Sequence, residues 1–113
     1  MFKRGEWMKM HIRFLYFEGC PNSEPALKML KEVLSEKNIK DDIDIVKIES
    51  EEDAYRYKFL GSPSIHINGE DIEKERRNDE PLYGCRVYKV NGHNSGVPPK
   101  EMISKAIDEA LAI

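Results

Sequence analysis

The segment His11–Phe17 is apolar almost throughout, rich in β-branched and aromatic residues, and runs through Glu18-Gly19 into Cys20-Pro21 and a helical pattern. A short, continuous apolar run of this kind reads as a strand covered on both faces. From Pro21 to Lys37 the apolar positions Ala26, Leu27, Leu30, Val33 and Leu34 recur at spacings of three and four, with Lys28, Lys31, Glu32 and Lys37 on the other side. This is an amphipathic helix, with Pro21 tolerated in its first turn and Asn38 as its stop. Ile43, Ile45, Val46 and Ile48 form a second, β-branched strand. Strand, helix and strand in this order leave little freedom, because a right-handed crossover makes the two strands parallel neighbours in one sheet.

The remainder extends that unit. Ser50 starts another helix; Asp53 three residues later approaches a capping box, and Glu51 and Glu52 suit the positive helix end. Tyr55 and Phe59 are expected on one face of it, and Gly61 as its end. Ser64–Asn68 reads as a third strand, Asn68-Gly69 as a two-residue hairpin turn, and Glu70–Glu73 as a returning fourth strand. Pro98-Pro99 opens a last helix whose buried face is Met102, Ile103, Ala106, Ile107, Ala110 and Leu111. Between them, residues 74–97 read as a long loop, and long loops in small domains are usually functional or mobile. The expected fold is α/β, with a four-stranded mixed sheet in the order 2-1-3-4 and helices on both faces. Residues 10–113 would form a single domain after an extension at 1–9, with Met8 and Met10 as alternative starts.

Composition narrows the partners. Eighteen Lys and Arg against 21 Asp and Glu give a net charge of -3, with no basic excess to neutralise a phosphate backbone, so nucleic acid is not expected. No apolar run approaches membrane-spanning length, so no membrane partner is expected. The start of the chain, Met1-Phe2-Lys3-Arg4-Gly5-Glu6-Trp7, lacks the apolar core of a signal peptide, which points to the cytoplasm. Two cysteines are too few for a disulfide scaffold, and in a reducing compartment they are chemical or simply buried.

Cys20 carries the chemistry. A cysteine at a strand-to-helix junction has its sulfur among unpaired N–H groups at the positive end of a helix, which favours the reactive thiolate. Glu18 and Glu24 oppose a second negative charge there, and Arg76, Arg77 or Arg86 are the candidates to offset them. The motif is C-x-x-S, so Ser23 stands where a second thiol would be; it either caps the helix or hydrogen-bonds the sulfur. Cys85 is either a packing residue or a second thiol, within a block (Tyr83 to Tyr88) that should pack on the body. Tyr16 and Phe17 are expected in the core, His66 on a strand facing solvent or a helix, and His93 exposed in a turn. Cys20, Cys85 and His93 are soft ligands without the paired spacing of a structural zinc site. Two cysteines alone do not hold an iron–sulfur cluster outside a subunit-bridging arrangement. No metal and no cofactor is therefore expected.

With Cys20 after the first strand and Gly61-Ser62-Pro63-Ser64-Ile65 entering the third, the chain resembles the thioredoxin superfamily from Met10 onward. It is similar in particular to small prokaryotic members with a Tyr-Phe-x-Gly-Cys-Pro-Asn motif and a late Cys-Arg-x-Tyr block. The resemblance implies a cis Pro63 opposite Cys20, with the backbone beside the sulfur left available for substrate pairing. Cys20, Ser23, Pro63 and Cys85 would be the catalytic positions, and Pro21, Ser62 and Ser64 would line the substrate. The implied activity is thiol–disulfide exchange on a small thiol or protein disulfide, by a monothiol route or with Cys85 resolving. The alternatives are a thiol-based binding module for a soft metal, an organomercurial or a protein partner, and a degenerate domain without thiol chemistry.

Overall fold

The computed structural model of the protein describes residues 10–112. The extension at 1–9 and the choice of start lie outside them. The elements are β1 (Ile12–Tyr16), α1 (Ser23–Glu36), β2 (Ile43–Lys47), α2 (Glu51–Tyr57), β3 (Ser64–Ile67), β4 (Glu70–Asp71), β5 (Tyr88–Val90), β6 (His93–Ser95) and α3 (Lys100–Leu111). The main sheet has the order β2-β1-β3-β4. β1 and β2 are parallel, with Ile12 opposite Ile43, and β3 is antiparallel to β1, with Leu15 opposite Ser64. The mixed α/β sheet expected from the element order is the one observed, and it is compatible with a thioredoxin-like fold.

Strand alternation sends side chains to two separate apolar layers. Ile12, Phe14, Ile65 and Ile67 pack with Ala26, Leu30 and Val33 of α1 and Ile103, Ala106 and Ile107 of α3. Leu15, on the opposite face of β1, packs with Ile48, Phe59 and Ala54 of α2. Helices therefore cover both faces. Tyr16 and Phe17 are half-buried at the rims of these layers rather than inside them.

Local signals set most of the element ends. Asn38, at φ 56°, stops α1, and the Ile39 N–H closes back on the Leu34 carbonyl at 2.9 Å. The Ser50 hydroxyl accepts from the Asp53 N–H at 3.1 Å, capping α2. Asn68 and Gly69, at φ 54° and 84°, make the tight hairpin between β3 and β4.

Three local expectations are corrected. α2 ends at Tyr57, with Lys58 rather than Gly61 in the left-handed position. Tyr55 consequently points outward, 57% exposed, while Phe59 lies beyond the helix and is fully buried. β4 is only two residues long. Finally, the connection 74–97 is structured: it contains a short 3₁₀ turn at Lys74–Arg76 and a separate two-stranded antiparallel sheet, with Tyr88 opposite Ser95.

Candidate functional site

β1 ends at Tyr16, and the chain turns through Phe17-Glu18-Gly19 into Cys20, whose N–H bonds back to the Phe17 carbonyl at 3.4 Å. Cys20 keeps 7% of its surface exposed. Among the described residues neither apolar layer includes it, and Asn22 and Ser23 follow it directly. α1 begins at Ser23, three residues after the cysteine. The Ser23 N–H bonds the Cys20 carbonyl at 3.3 Å, Pro25 has no N–H, and the Ala26 N–H bonds the Asn22 carbonyl at 3.1 Å. The helix start thus offers fewer free donors than an ordinary one. The Ser23 hydroxyl donates to the Cys20 carbonyl at 2.8 Å, so it neither caps a backbone N–H nor reaches the sulfur.

The Ser62–Pro63 peptide bond is cis, and Ser62, Pro63 and Ser64 are buried. The Ser62 hydroxyl accepts from the Phe17 N–H at 3.3 Å, tying this segment to the end of β1 from which the Cys20 turn departs. Pro21 is exposed at the rim.

Residues 82–86 run beside residues 59–62. The Leu82 N–H bonds the Phe59 carbonyl at 2.8 Å, the Ser62 N–H bonds the Gly84 carbonyl at 2.8 Å, and the Arg86 N–H bonds the Ser62 carbonyl at 3.0 Å. Cys85 is thereby paired with Ser62 in parallel register. This corrects one expectation: the backbone ahead of Pro63 is not left open, because the protein's own chain has taken it. Both thiols are free, Cys20 buried and Cys85 exposed. Cys85 opens on a cleft of about 660 Å³ shared with Leu60, Leu82, Glu73, Arg76 and Val87; Cys20 is not in its wall.

What anchors this strap was not visible in the sequence. The Arg86 side chain is fully buried; it donates to both Asp71 carboxylate oxygens at 2.7 and 2.8 Å, to Glu73 at 3.1 Å and to the Ser64 hydroxyl at 2.9 Å. Its guanidinium carbon lies 4.2 Å from the centre of the Tyr88 ring. Burial disfavours the guanidinium charge, but the hydrogen bonds to Asp71 and the neighbouring anions outweigh it and raise the Arg86 pKa further. The buried Tyr88 hydroxyl donates to the Pro63 carbonyl at 2.5 Å, and burial pushes its pKa well above the usual phenol range.

Of the two placements expected for His66, solvent is excluded: it is buried 3.8 Å from Asp71 in the same cluster. Burial lowers its pKa; Asp71 opposes that shift, and Arg86, Arg13 and Lys58 add to it. The one available clue was a charged residue inside the block Tyr83-Gly84-Cys85-Arg86-Val87-Tyr88, which must be paired if that block packs.

None of the three arginines proposed to offset Glu18 and Glu24 does so. Arg86 is held by Asp71 and Glu73, Arg76 by Glu73 and Asp79, and Arg77 by Glu70 and the Asp71 carbonyl, while Glu18 pairs with Lys47. His93 is exposed on β6. Among the described residues no three His, Cys, Asp or Glu side chains are grouped to hold a metal, and no helix is long and apolar enough to cross a membrane.

The family model that matches the chain covers residues 21–107. The protein belongs to the family described as a domain of unknown function, DUF2703. The match takes in Ser23, Ser62-Pro63-Ser64, Arg86 and Cys85 and begins directly after Cys20. Comparison with curated proteins gives no match.

Proposed function

We propose that the protein is a thioredoxin-like thiol–disulfide redox protein acting through Cys20. The observation that carries this reading is the convergence of three segments at one end of the sheet. The Cys20 turn leaves β1 there, Ser62-Pro63 is tied to it through Phe17, and the Cys85 segment is paired to Ser62. The Cys20 thiolate attacks one sulfur of a disulfide; the new mixed disulfide forms as the substrate's own S–S bond breaks, and the departing thiolate takes a proton from water. A second thiol then attacks the mixed disulfide. If a small external thiol attacks the substrate-side sulfur, Cys20 departs as the thiolate and is regenerated, and the external thiol leaves joined to the first half of the substrate as a new disulfide. If Cys85 attacks the Cys20 sulfur, the substrate half departs as a thiol and a Cys20–Cys85 disulfide remains. Ser23 cannot serve in this step, which separates the motif from a dithiol pair.

The test is reduction of a small disulfide by the wild type and by Cys20→Ser and Cys85→Ser, with thiol trapping under mild oxidation. Cys20→Ser should abolish exchange. Cys85→Ser should still form the mixed disulfide at Cys20; its accumulation would identify Cys85 as the resolving thiol, and its clearance by an added small thiol would identify the external route. Exchange that survives in Cys20→Ser overturns the proposal. A second reading, capture of a soft metal or organomercurial without turnover, uses the same free Cys20 thiol. Metal titration with proton release and no turnover would select it.

A further inference from the structure

We infer that the 74–97 connection is a fixed cover that restricts Cys20 to low-molecular-weight disulfides and excludes extended polypeptides, an inference that rests on the redox reading above. A polypeptide recognised beside a sheet adds as a strand and uses unpaired main-chain N–H and C=O groups. At the end of β1 from which the Cys20 turn departs, the segment ahead of Pro63 would supply them. The Ser62 N–H and C=O and the Phe59 C=O are already bonded to Gly84, Arg86 and Leu82.

The strap is seated closely. Gly61 has φ 108°, and a Cβ there would lie 2.9 Å from the Arg86 Cβ and 3.2 Å from the Gly84 carbonyl oxygen. It is also locked from beneath, since the fully buried Arg86 side chain enters a charge cluster with Asp71 and Glu73, and Tyr88 holds the Pro63 carbonyl. Lifting it would strand Asp71 and Glu73 as buried carboxylates without their guanidinium.

The same connection touches the Cys20 turn at two further points. The Tyr83 ring meets the Phe17 ring edge-on, with centroids 5.8 Å apart. Gly96, just after β6, lies so near Asn22 that a Cβ on it would collide with the Asn22 amide. The turn that carries Cys20 is therefore held against the connection at both ends, at Phe17 by Tyr83 and by Ser62 with its strap, and at Asn22 by Gly96. Cys20 keeps 7% of its residue surface exposed; a small reactant needs little open space, whereas a polypeptide needs a groove that the protein fills with itself.

Two measurements on the full-length Cys85→Ser protein test this. The first compares mixed-disulfide formation at Cys20 with hydroxyethyl disulfide and with a decapeptide whose central cysteine carries the same mercaptoethanol leaving group. A peptide that must displace the strap's main-chain bonds to enter should react roughly tenfold or more slowly than the small disulfide. The second compares alkylation of folded and urea-unfolded protein by N-ethylmaleimide and by a polyethylene-glycol-linked maleimide. The bulky reagent should be slowed selectively in the folded state, and Gly96→Ala, which pushes Asn22 aside, should narrow that gap. Equal rates for peptide and small disulfide, or no size selectivity in alkylation, would overturn the cover while leaving the redox proposal intact. A Cys20 that the small maleimide alkylates but neither disulfide oxidises would overturn the redox proposal, and with it the choice of substrate.

Discussion

Replacing Arg86 with methionine tests the anchor on which both the strap and the site depend. Methionine keeps much of the aliphatic volume and removes the charge. It deletes four side-chain hydrogen bonds, two to Asp71, one to Glu73 and one to Ser64, and leaves two acidic side chains that are 4% and 7% exposed. Asp71 would retain the Glu73 N–H at 2.8 Å, and Glu73 would retain half-buried Arg76 at 3.7 Å, so neither carboxylate is wholly abandoned. Breaking a buried ion pair from one side costs about 3–5 kcal/mol, a large fraction of the roughly 5–15 kcal/mol that holds a domain together. At an m-value near 1.5 kcal/mol/M the urea midpoint should fall by about 2–3 M. Equilibrium unfolding followed by far-ultraviolet circular dichroism gives the midpoint.

The double variant Arg86→Met/Asp71→Asn removes one of the stranded charges and should recover part of the loss, which identifies uncompensated burial rather than poor packing as the cause. An Arg86→Met midpoint within about 0.3 M of the wild type would refute the argument, because a solvated arginine is worth no more than that. A double variant weaker than the single one by the full cost of a second, independent lesion would refute it equally.

Two further outcomes follow from neighbouring residues. His66 has its pKa lowered by burial, so between its ordinary value near 6.5 and its lower folded value the unfolded chain binds a proton that the folded protein refuses. Stability should fall as the pH drops below about 6.5, and His66→Gln should flatten that limb of a plot of urea midpoint against pH; an identical slope in the variant would show that other groups cause it. Gly61→Ala combines a positive φ with a collision against Arg86 and Gly84, and should cost about 2–4 kcal/mol. Gly69→Ala, where a Cβ meets nothing within 4 Å, should cost about 1 kcal/mol, and thermal unfolding of the pair separates strap contact from backbone strain.

Where a residue's environment is set by near neighbours in the chain, the sequence was a sufficient guide, the end of α2 excepted. The three- and four-residue spacing of Ala26, Leu30, Val33 and Leu34 made α1 legible, the β-branched run made β1 legible, and Asn68-Gly69 defined the hairpin. The order of these elements then left essentially one sheet, because the handedness of a crossover connection is a property of L-amino acids. Cys20 at the β1–α1 junction and the Ser62-Pro63 segment entering β3 were visible for the same reason.

The rest depended on contacts between residues far apart in the chain, which leave no periodic trace. Arg86 sits in a block that reads as a loop, and its partners Asp71 and Glu73 lie in the short strand expected over Glu70–Glu73. Only when β4 brings those acids under the strap does the cluster become a buried one. Gly61 and Gly96 look like a helix end and a turn; in the structure they are places where another segment comes too close for a Cβ. The sequence alone determined which layers form and where the thiol is carried. The tertiary structure decided what surrounds it, because filling Ser62's hydrogen bonds with the protein's own backbone is a matter of long-range pairing, and that pairing is specified by shape and buried charge rather than by local pattern.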